Sequence, residues 1–320
     1  MPYAVDALGE RRGTTGLVLA TNNASRPAVE VARQLTALGL DVAPSQVVTS
    51  AEAGAAHLRA LLHPGAPVLA VGGPGVAEAL TAAGLRPMRT GVGVRAVLQG
   101  YGRDVTAADL AEASYAVAAG APWVATNRDA TLPTDRGTAP GNGTLVDAVA
   151  VATGRQPLVV GKPQPPLYTL SAARLGVGLD EVLAVGDRLD TDILGAMNAR
   201  LDSLWVLTGV DDLVSFIRSD VCATPTFVGL DLRALLRQPP HVALEGGWWV
   251  CGGTRVRIDL TSDDGDLVQV DLTGSARADR HSPDALLSAG FMALLRLRKE
   301  PGVDLDRLAD AALRLTSHLA

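Results

Sequence analysis

The feature of this sequence that most constrains its fold is a repeated alternation of short apolar runs with amphipathic stretches of helical period. Uninterrupted apolar runs between helices are typical of strands in a parallel sheet that is covered on both faces. We therefore predict an α/β fold. The predicted strands span residues 16–20, 46–49, 68–71, 96–98, 123–126, 158–160, 182–185, 204–207 and 227–229. Predicted helices between them include 27–38, 51–62 and 75–83.

The pattern changes near residue 240, where the segment 237–240 ends the alternation. The runs 254–260 and 267–272 then alternate apolar and polar residues, as strands with one solvated face do. Ser262-Asp263-Asp264-Gly265 between them is typical of a hairpin turn. Helices are predicted over 283–298 and 305–319. Residues 241–320 are therefore expected to form a separate small α+β unit.

Composition excludes several classes of protein. Hydrophobic residues make up 48% of the chain, which is enough for a sizeable core and argues against disorder. The 28 basic and 34 acidic residues give a net charge of −6, whereas a nucleic-acid-binding protein needs a basic face. Apolar runs are too short to span a membrane, and the start carries no secretory signal pattern. We expect a cytoplasmic protein that binds neither nucleic acid nor membrane.

The segment 181–193, EVLAVGDRLDTDI, leads from an apolar strand into Asp187. Ligands of open α/β sheets bind beyond the carboxyl ends of the strands, which is where Asp187 is expected. Asp192 falls in the first turn of the next helix and is able to point back to the same place. Two acids there suit Mg²⁺, which takes oxygen ligands and keeps several waters. Alternatively Asp190 and Asp192 only serve the helix start, but that does not explain Asp187.

The segment 17–25, LVLATNNAS, again leads from an apolar strand into small polar residues. Thr21 supplies a hydroxyl, while Asn22 and Asn23 supply amide donors beside backbone N–H groups. Such groups at the start of a helix suit a phosphate dianion. The alternative is an ordinary helix cap at Asn23 or Ser25, and the segment alone is a weak signal.

Lys162 follows another predicted strand, between Gly161 and Pro163. Only Lys162 and Lys299 are lysines among the 28 basic residues. A compact ammonium group at a strand end is suited to neutralise a phosphate or a carboxylate. The alternative is a solvated loop lysine, the usual fate of this residue type.

The segment 68–78, VLAVGGPGVAE, superficially resembles a dinucleotide-binding fingerprint. Glu78 stands where the fingerprint needs a third glycine for close packing of helix and strand. The segment therefore does not fit a dinucleotide site, and a packed turn is the better interpretation.

Taken in order, LATNNAS, GKP and GDRLDTDI resemble the second, third and fourth motifs of the haloacid dehalogenase superfamily of phosphotransferases. Their particular forms are similar to subfamily IIA, the NagD and p-nitrophenylphosphatase-like enzymes. The resemblance covers roughly residues 1–240. It implies a Rossmann-like core at 1–50 and 155–240 and an inserted α/β cap at 51–154.

The resemblance also implies roles for these residues. Thr21, Asn22 and Asn23 would hold the phosphoryl group, and Lys162 would bridge phosphate and nucleophile. Asp187 would be a ligand of Mg²⁺, and Asp192 would support the metal shell. The substrate would be a small phosphorylated metabolite such as glycerol 3-phosphate, with phosphoglycolate or a sugar phosphate as other candidates. Homodimers formed through the cap are common in the subfamily. The cap residues expected to contact substrate are Asn127, Asp129, Pro140 and Gly141.

One motif of the family is absent. Its enzymes use D-x-D-G at the end of the first strand, where the first aspartate forms an aspartyl-phosphate and the second acts as acid and base. No D-x-D-G occurs in this sequence, so the chain as written is expected to be inactive. We favour a start site placed too late, with the nucleophile and its strand upstream of Met1. The alternative is a non-catalytic remnant that binds a metabolite.

The segment 241–320 resembles the acetyltransferase-like appendage of actinobacterial subfamily IIA phosphatases. It is too short for a complete acetyltransferase and has no clear glycine-rich pyrophosphate loop. We interpret it as a binding or packing module, and acyl-CoA binding is a third functional hypothesis.

Overall fold

The computed structural model describes residues 3–11, 13–261, 267–271 and 283–319. The chain divides into two compact units. The central unit is Thr15–Glu181, and the terminal unit combines Met1–Thr14 with Val182–Ala320. In the described ranges, no helix has both the length and the apolar character of a membrane span.

The helices and strands follow one another in the predicted alternation. The helices are α1 (Ala4–Glu10), α2 (Ala28–Ala37), α3 (Ser50–Leu61), α4 (Pro74–Ala82), α5 (Ala107–Ala118), α6 (Asn142–Thr153), α7 (Pro166–Leu175), α8 (Leu194–Ala199), α9 (Leu213–Arg218), α10 (Pro283–Arg298) and α11 (Leu305–Leu319). The strands are β1 (Leu19–Thr21), β2 (Val47–Thr49), β3 (Pro67–Val71), β4 (Arg86–Met88), β5 (Ala96–Gln99), β6 (Trp123–Ala125), β7 (Thr131–Thr134), β8 (Gly137–Pro140), β9 (Leu158–Val159), β10 (Leu183–Gly186), β11 (Asp202–Val206), β12 (Phe227–Gly229), β13 (Val242–Glu245), β14 (Trp248–Cys251), β15 (Thr254–Ile258) and β16 (Val268–Asp271).

The central unit is built on a parallel sheet in the order β4-β3-β5-β6-β9. Strand β5 is buried along its whole length, which is why residues 96–98 form a continuous apolar run rather than an alternating one. Helix α3 begins with a capping box, in which Thr49 accepts from the Glu52 N–H and the Glu52 carboxylate accepts from the Thr49 N–H. Helix α5 begins in the same way at Thr106 and Asp109.

Strands β1 and β2 form a separate parallel pair in the central unit. Thr21 lies opposite Thr49 at the carboxyl ends of both strands. The parallel register therefore brings the polar segment after β1 and the start of α3 to the same end of the pair.

The terminal unit contains two sheets, a parallel one in the order β10-β11-β12 and an antiparallel one in the order β13-β14-β15-β16. They share one hydrophobic core in the described residues. Trp205 on β11, Phe216 on α9 and Phe291 on α10 meet there, with ring centroids 5.0–6.0 Å apart. The inner face of the antiparallel sheet, including Val256 and Ile258, packs into the same core.

The α/β fold and all the predicted strands and helices of the described residues are confirmed within one or two residues, except that β1 begins at Leu19 rather than at residue 16 and the strand after 254 ends at Ile258. The predicted turn at Ser262–Gly265 lies outside the described residues. The sequence analysis missed β4, β7, β8, β13 and β14. Pro87, Pro133 and Pro140 lie within three of these strands and weaken their signal, because proline cannot donate to a sheet ladder.

The domain boundaries at 50, 154 and 240 stay a prediction. The compact units divide the chain elsewhere, after Thr14 and Glu181. Residues on both sides of position 240 contribute to one core of the terminal unit, so the last 80 residues do not pack as an isolated module.

Candidate active site

The segment Thr21–Ser25 forms a tight polar turn at the carboxyl end of β1. The Thr21 hydroxyl accepts a hydrogen bond from the Asn23 N–H at 3.1 Å. The Asn23 side chain in turn accepts from the Ser25 N–H and hydroxyl at 2.9 and 2.8 Å. Asn23 therefore closes a turn at Ser25 but does not cap α2, which begins after Pro27 without a side-chain capping bond. Thr21 is half-buried at the strand end.

Asn22 joins this turn to the lysine segment 140 residues further along the chain. Its Oδ1 accepts from the Lys162 N–H at 2.7 Å, and its Nδ2 donates to the Lys162 carbonyl at 3.0 Å. The two bonds use both ends of the amide, so neither a hydroxyl nor a carboxylate would replace it. The structure thus brings together two of the segments that the sequence analysis singled out.

The lysine side chain turns back toward β1. Lys162 Nζ donates to the Ala20 carbonyl at 3.2 Å, one residue before Thr21. The approach is close because Gly161 has no side chain, and a Cβ there would fall 2.2 Å from the Thr126 carbonyl and 2.7 Å from Asn22 Oδ1. Lys162 is half-buried, unlike the freely solvated lysine of the alternative interpretation.

Asn127 and Asp129 extend the same network. Asn127 Nδ2 donates to the Asn22 carbonyl at 2.8 Å, and Asn22 Nδ2 lies 3.4 Å from both Asp129 oxygens. Asn142, at the start of α6, donates to the Asn127 carbonyl at 2.8 Å. A continuous set of hydrogen bonds therefore connects the lysine segment with the first turn of α6.

A cavity of about 1360 Å³ opens beside this network within the central unit. Asn22, Asn23, Asn127, Asp129 and Gly141 line it, as the sequence analysis expects for substrate contacts. Pro140 is an exposed residue of β8 that does not line the cavity, and neither do Thr21 and Lys162. Further lining residues bring charge of both signs, and they include Arg26, Glu78, Arg89, Arg103, Asp104 and Asp135.

The glycine-rich segment at 72–75 packs against the turn after β1. The Gly75 N–H donates to the Ser25 carbonyl at 3.1 Å, and a Cβ on Gly75 would fall 2.5 Å from the Ala24 carbonyl. Because that N–H is already bound, it is not available to a pyrophosphate. The prediction of a packed turn at this segment is confirmed.

Asp187 lies in the terminal unit, directly after β10, inside a loop that encloses its carboxylate. Val210 N–H donates to Asp187 Oδ2 at 2.8 Å. A Cβ on Gly209 would fall 1.9 Å from the same oxygen, so only glycine permits this approach. The backbone carbonyl of Asp187 accepts from the Asp211 N–H at 3.2 Å and from the Trp205 indole N–H at 3.3 Å.

The two other aspartates of the motif have different partners. Asp192 Oδ2 accepts from the Arg188 N–H at 3.2 Å, and a Cβ on Gly186 would fall 2.3 Å from Asp192 Cβ. Asp192 therefore turns back toward the end of β10, as predicted. Asp190 forms a bidentate pair with the Arg188 guanidinium at 2.7 and 3.0 Å. These hydrogen bonds hold the pKa of Asp190 below its usual value.

The donor set at Asp187 fits a hard divalent cation. Carboxylate oxygens are the ligands that Mg²⁺ takes, and one or two carboxylates suffice when water and a substrate phosphate complete the octahedron. In the described parts of the chain, no three His, Cys, Asp or Glu side chains are grouped so that they alone would hold a metal ion. The carboxylates of Asp187 and Asp192 are thus of the type that a magnesium shell uses.

Two residues of these sites escaped the sequence analysis. Asn142 is 1% exposed and joins the hydrogen-bond network of Asn127. In the sequence, the position of Asn142 between Gly141 and Gly143 could have pointed to it. Asp211 accepts from the Leu189 N–H at 2.7 Å and fixes the turn after Asp187. In the sequence, Asp211 could have been found as an acidic residue shortly after the end of a predicted apolar strand.

Comparison with known proteins identifies the family of the chain. Residues 1–86 match the family of haloacid dehalogenase-like hydrolases, and residues 159–235 match the HAD-hydrolase-like family. The D-glycerol 3-phosphate phosphatase of Mycobacterium tuberculosis is 44% identical over 272 residues, which cover 84% of this chain and 76% of the relative. The chain belongs to the haloacid dehalogenase-like hydrolases. Within this family it is a phosphatase-type enzyme.

Other relatives place this hydrolase in the NagD and p-nitrophenylphosphatase-like subfamily IIA. An acid sugar phosphatase of Staphylococcus epidermidis is 38% identical over 212 residues, covering 66% of this chain and 81% of the relative. The crystal structure of the Mycobacterium tuberculosis glycerol phosphate phosphatase with magnesium is similar at a TM-score of 0.75 and 41% identity, over 90% of this chain and 83% of that one. A thermostable p-nitrophenylphosphatase of Geobacillus stearothermophilus gives a TM-score of 0.67 at 32% identity, over 73% of this chain and 91% of that one.

Proposed function

We propose that this hydrolase is a Mg²⁺-dependent phosphatase of small phosphomonoesters, with glycerol 3-phosphate as the first candidate substrate. The observation that carries the proposal is the double hydrogen bond between Asn22 and Lys162. It holds a lysine next to a polar turn at the carboxyl end of a parallel strand, an arrangement suited to a transferring phosphoryl group.

In this proposal the Thr21 hydroxyl, which accepts from the Asn23 N–H, donates its own hydrogen to a phosphoryl oxygen. The Lys162 ammonium neutralises part of their negative charge, and its contact with the Ala20 carbonyl directs it toward the end of β1. Electrostatic stabilisation of this kind is the main contribution that a protein makes to phosphoryl transfer.

Asp187 would hold Mg²⁺, with Asp192 supporting the turn. When bound, Mg²⁺ supplies positive charge that stabilises the phosphoryl oxygens. The Val210 N–H and Gly209 fix the Asp187 carboxylate, so it needs little reorganisation to bind a cation. The magnesium-bound structure of the mycobacterial relative supports this assignment.

We further propose that the carboxylate nucleophile is supplied by an extended segment upstream of Met1 that adds to the sheet beside β10. Strand β10 pairs only with β11 in the described residues. Leu183 and Val185 on β10 are 41% and 37% exposed, although strands of parallel sheets are normally buried on both faces. A parallel strand added at that edge would end beside Asp187, in position to carry an aspartate that forms an aspartyl-phosphate.

The cavity of the central unit supports a small, hydroxylated substrate. Its lining mixes arginine and carboxylate side chains with the amides of Asn22 and Asn127. Amides and carboxylates pair with hydroxyl groups, whereas a purely basic lining would favour a second anionic group. The names of the relatives point to glycerol phosphate or to a sugar phosphate.

The test compares two proteins, the 320-residue chain and the same chain with its upstream coding sequence translated in frame. Phosphate release is measured with glycerol 3-phosphate, phosphoglycolate and a hexose phosphate, each with MgCl₂ and with EDTA. We expect Mg²⁺-dependent release from the longer protein alone. Absence of release from every ester by the longer protein would refute the proposal.

A non-catalytic remnant that binds a metabolite is the second candidate, and the absence of D-x-D-G from the 320 residues favours it. It predicts that glycerol 3-phosphate raises the melting temperature of the chain without any turnover, whatever lies upstream of Met1. The same set of esters, used in a thermal-shift assay, distinguishes the two candidates.

A homodimer is part of the proposal. Tyr115 on α5 and Val151 on α6 are 67% and 87% exposed. The other exposed positions of α5 are alanine, and those of α6 are Ala148 and Ala152 beside Thr144 and Asp147. An apolar outer face on neighbouring helices favours association. Sedimentation equilibrium of wild type and of Tyr115→Glu measures the oligomeric state, and a wild-type monomer would contradict this part.

A further inference from the structure

Trp205 links the core of the terminal unit to the backbone of Asp187. Its side chain is completely buried in β11, beside Gly186 of β10. Its indole N–H donates to the Asp187 carbonyl at 3.3 Å. Tryptophan is the only apolar ring of this size that carries a hydrogen-bond donor without an acceptor, so the bond requires this residue type.

The other face of the indole belongs to an aromatic cluster. The ring centroid of Trp205 lies 5.9 Å from that of Phe216 and 6.0 Å from that of Phe291. Phe291 is on α10, close to 100 residues after β10 in the sequence, and the Arg298 guanidinium of the same helix lies 4.6 Å from the Phe216 ring centre. Helix α10 therefore contributes to the packing around the indole.

We propose that Trp205 is a positioning residue for Asp187, through which the packing of α10 sets the geometry of the metal-binding loop. The inference rests on the proposed function, in which Asp187 holds Mg²⁺. The Asp187 backbone is fixed from two sides, by Trp205 and by the Asp211 N–H, and its carboxylate by the Val210 N–H. Loss of the indole donor leaves the half-buried Asp187 carbonyl with one donor fewer and loosens the loop.

The test uses the full chain with the substitution Trp205→Phe, which keeps an aromatic ring and removes the N–H. Amide hydrogen exchange is followed at Leu189 and Val210, whose N–H groups donate to the carboxylates of Asp211 and Asp187. We expect at least fivefold faster exchange at both amides. Exchange at Phe216, bonded to the Asp212 carbonyl in α9, should change less than twofold.

Trp123→Phe is the matched control, because the Trp123 indole N–H donates to Gln99 in the central unit. It makes the same chemical change and should leave exchange at Leu189 and Val210 unaltered. Equal exchange at these amides in wild type and Trp205→Phe would overturn the proposal. Uniform acceleration that includes Phe216 would do so too, since it would indicate general loosening of the core.

A calorimetric titration with MgCl₂ separates this proposal from the proposed function. We expect a threefold or greater loss of Mg²⁺ affinity in Trp205→Phe. Selective exchange at Leu189 and Val210 without Mg²⁺ binding by wild type would support Trp205 as a positioning residue and count against the metal site. Equal Mg²⁺ affinity of both proteins, with unchanged exchange, would support the metal site and refute the role of Trp205.

Discussion

At the scale of single residues, the closest fit in the terminal unit is the one between Gly209 and the Asp187 carboxylate. A methyl group at position 209 would overlap Asp187 Oδ2, so the loop must move or the carboxylate must turn. We predict that Gly209→Ala lowers the free energy of unfolding by about 1–3 kcal/mol, as overpacking commonly does. Urea denaturation followed by circular dichroism measures the change.

Gly9→Ala is the control for that substitution. Gly9 lies inside α1, and nothing lies within 4 Å of a Cβ built there. We expect stabilisation by up to about 1 kcal/mol, because alanine is the better helix former. Equal effects of the two substitutions would contradict the steric argument.

Asn22 provides a second prediction at this scale. Its amide bonds to both polar backbone atoms of Lys162 are lost in Asn22→Ala, which leaves a half-buried N–H and carbonyl without these partners. We predict a loss of about 1–3 kcal/mol in the free energy of unfolding. Asn23→Ala removes only the turn bonds from the N–H and hydroxyl of Ser25 and should cost about 1 kcal/mol. Thermal denaturation of both variants tests the order, and a larger loss in Asn23→Ala would contradict it.

The sequence allowed Thr21, Lys162 and Asp187 to be singled out because each follows an apolar run at the end of a predicted strand. Which of the candidate residues contact one another was harder to predict. Asn22 and Lys162 are separated by 140 residues, and their contact depends on how β1 and β9 end in space. The enclosure of Asp187 by Gly209 and the donation from Trp205 likewise depend on the pairing of β10 with β11.

At the scale of elements, strands with continuous apolar runs were predictable and the short polar ones were not. The hairpin of β7 and β8 consists of mostly exposed residues and contains two prolines, so neither alternation nor apolar character marks it. Its position is set by tertiary contacts, since the Gly141 N–H at its end donates to the Ala130 carbonyl at its start. Local propensity is a weak guide in such segments.

The helical turn Leu232–Leu236 supplies a prediction that depends on pH. Asp231 begins this turn, accepts from the Arg233 N–H and forms a bidentate pair with the Arg233 guanidinium. The hydrogen bonds from Arg233 hold the pKa of Asp231 below its usual value. A depressed carboxylate pKa stabilises the fold above the unfolded pKa of about 3.9. That contribution is lost as the pH falls through the lower folded value.

Asp231→Asn should therefore lower the free energy of unfolding at pH 7 by about 1–3 kcal/mol, because it removes a charged partner of Arg233. The difference from wild type should shrink progressively below about pH 4. Urea denaturation at pH 7, 4 and 2.5 measures both effects. A difference that stays constant across this range would contradict the role of the carboxylate charge.

At the scale of the whole molecule, the terminal unit joins strands β11 and β12 and the last helices in one core. Leu315 and Leu313 on α11 are 0% and 57% exposed. We predict that Leu315→Ala lowers the free energy of unfolding by about 2–5 kcal/mol, whereas Leu313→Ala changes it by less than about 0.5 kcal/mol. Because the core is shared, the transition seen by Trp205 fluorescence, recorded with the other three tryptophans replaced by phenylalanine, should shift with Leu315→Ala. A shift confined to helical circular dichroism would contradict a shared core.

The composition of the last 80 residues changes enough to suggest an independent module. For this reason the core that these residues share with the parallel sheet was not predicted from the sequence. Hydrophobic periodicity indicates which face of a helix is buried, but it does not say against which strand. The contact of Phe291 with Trp205 joins residues 86 positions apart, and only the fold shows it.

Among the described residues one edge of β10 has no strand beside it, which has a practical consequence for anyone who purifies the 320-residue chain. A row of unused backbone donors and acceptors next to exposed Leu183 and Val185 is a template on which strands of other copies can add. Such a protein tends to precipitate as its concentration rises, and lysine or glutamate at position 183 would act as a gatekeeper residue against this. The edge of β10 to which the proposed nucleophile strand would add is thus also the edge at which copies of the chain would associate.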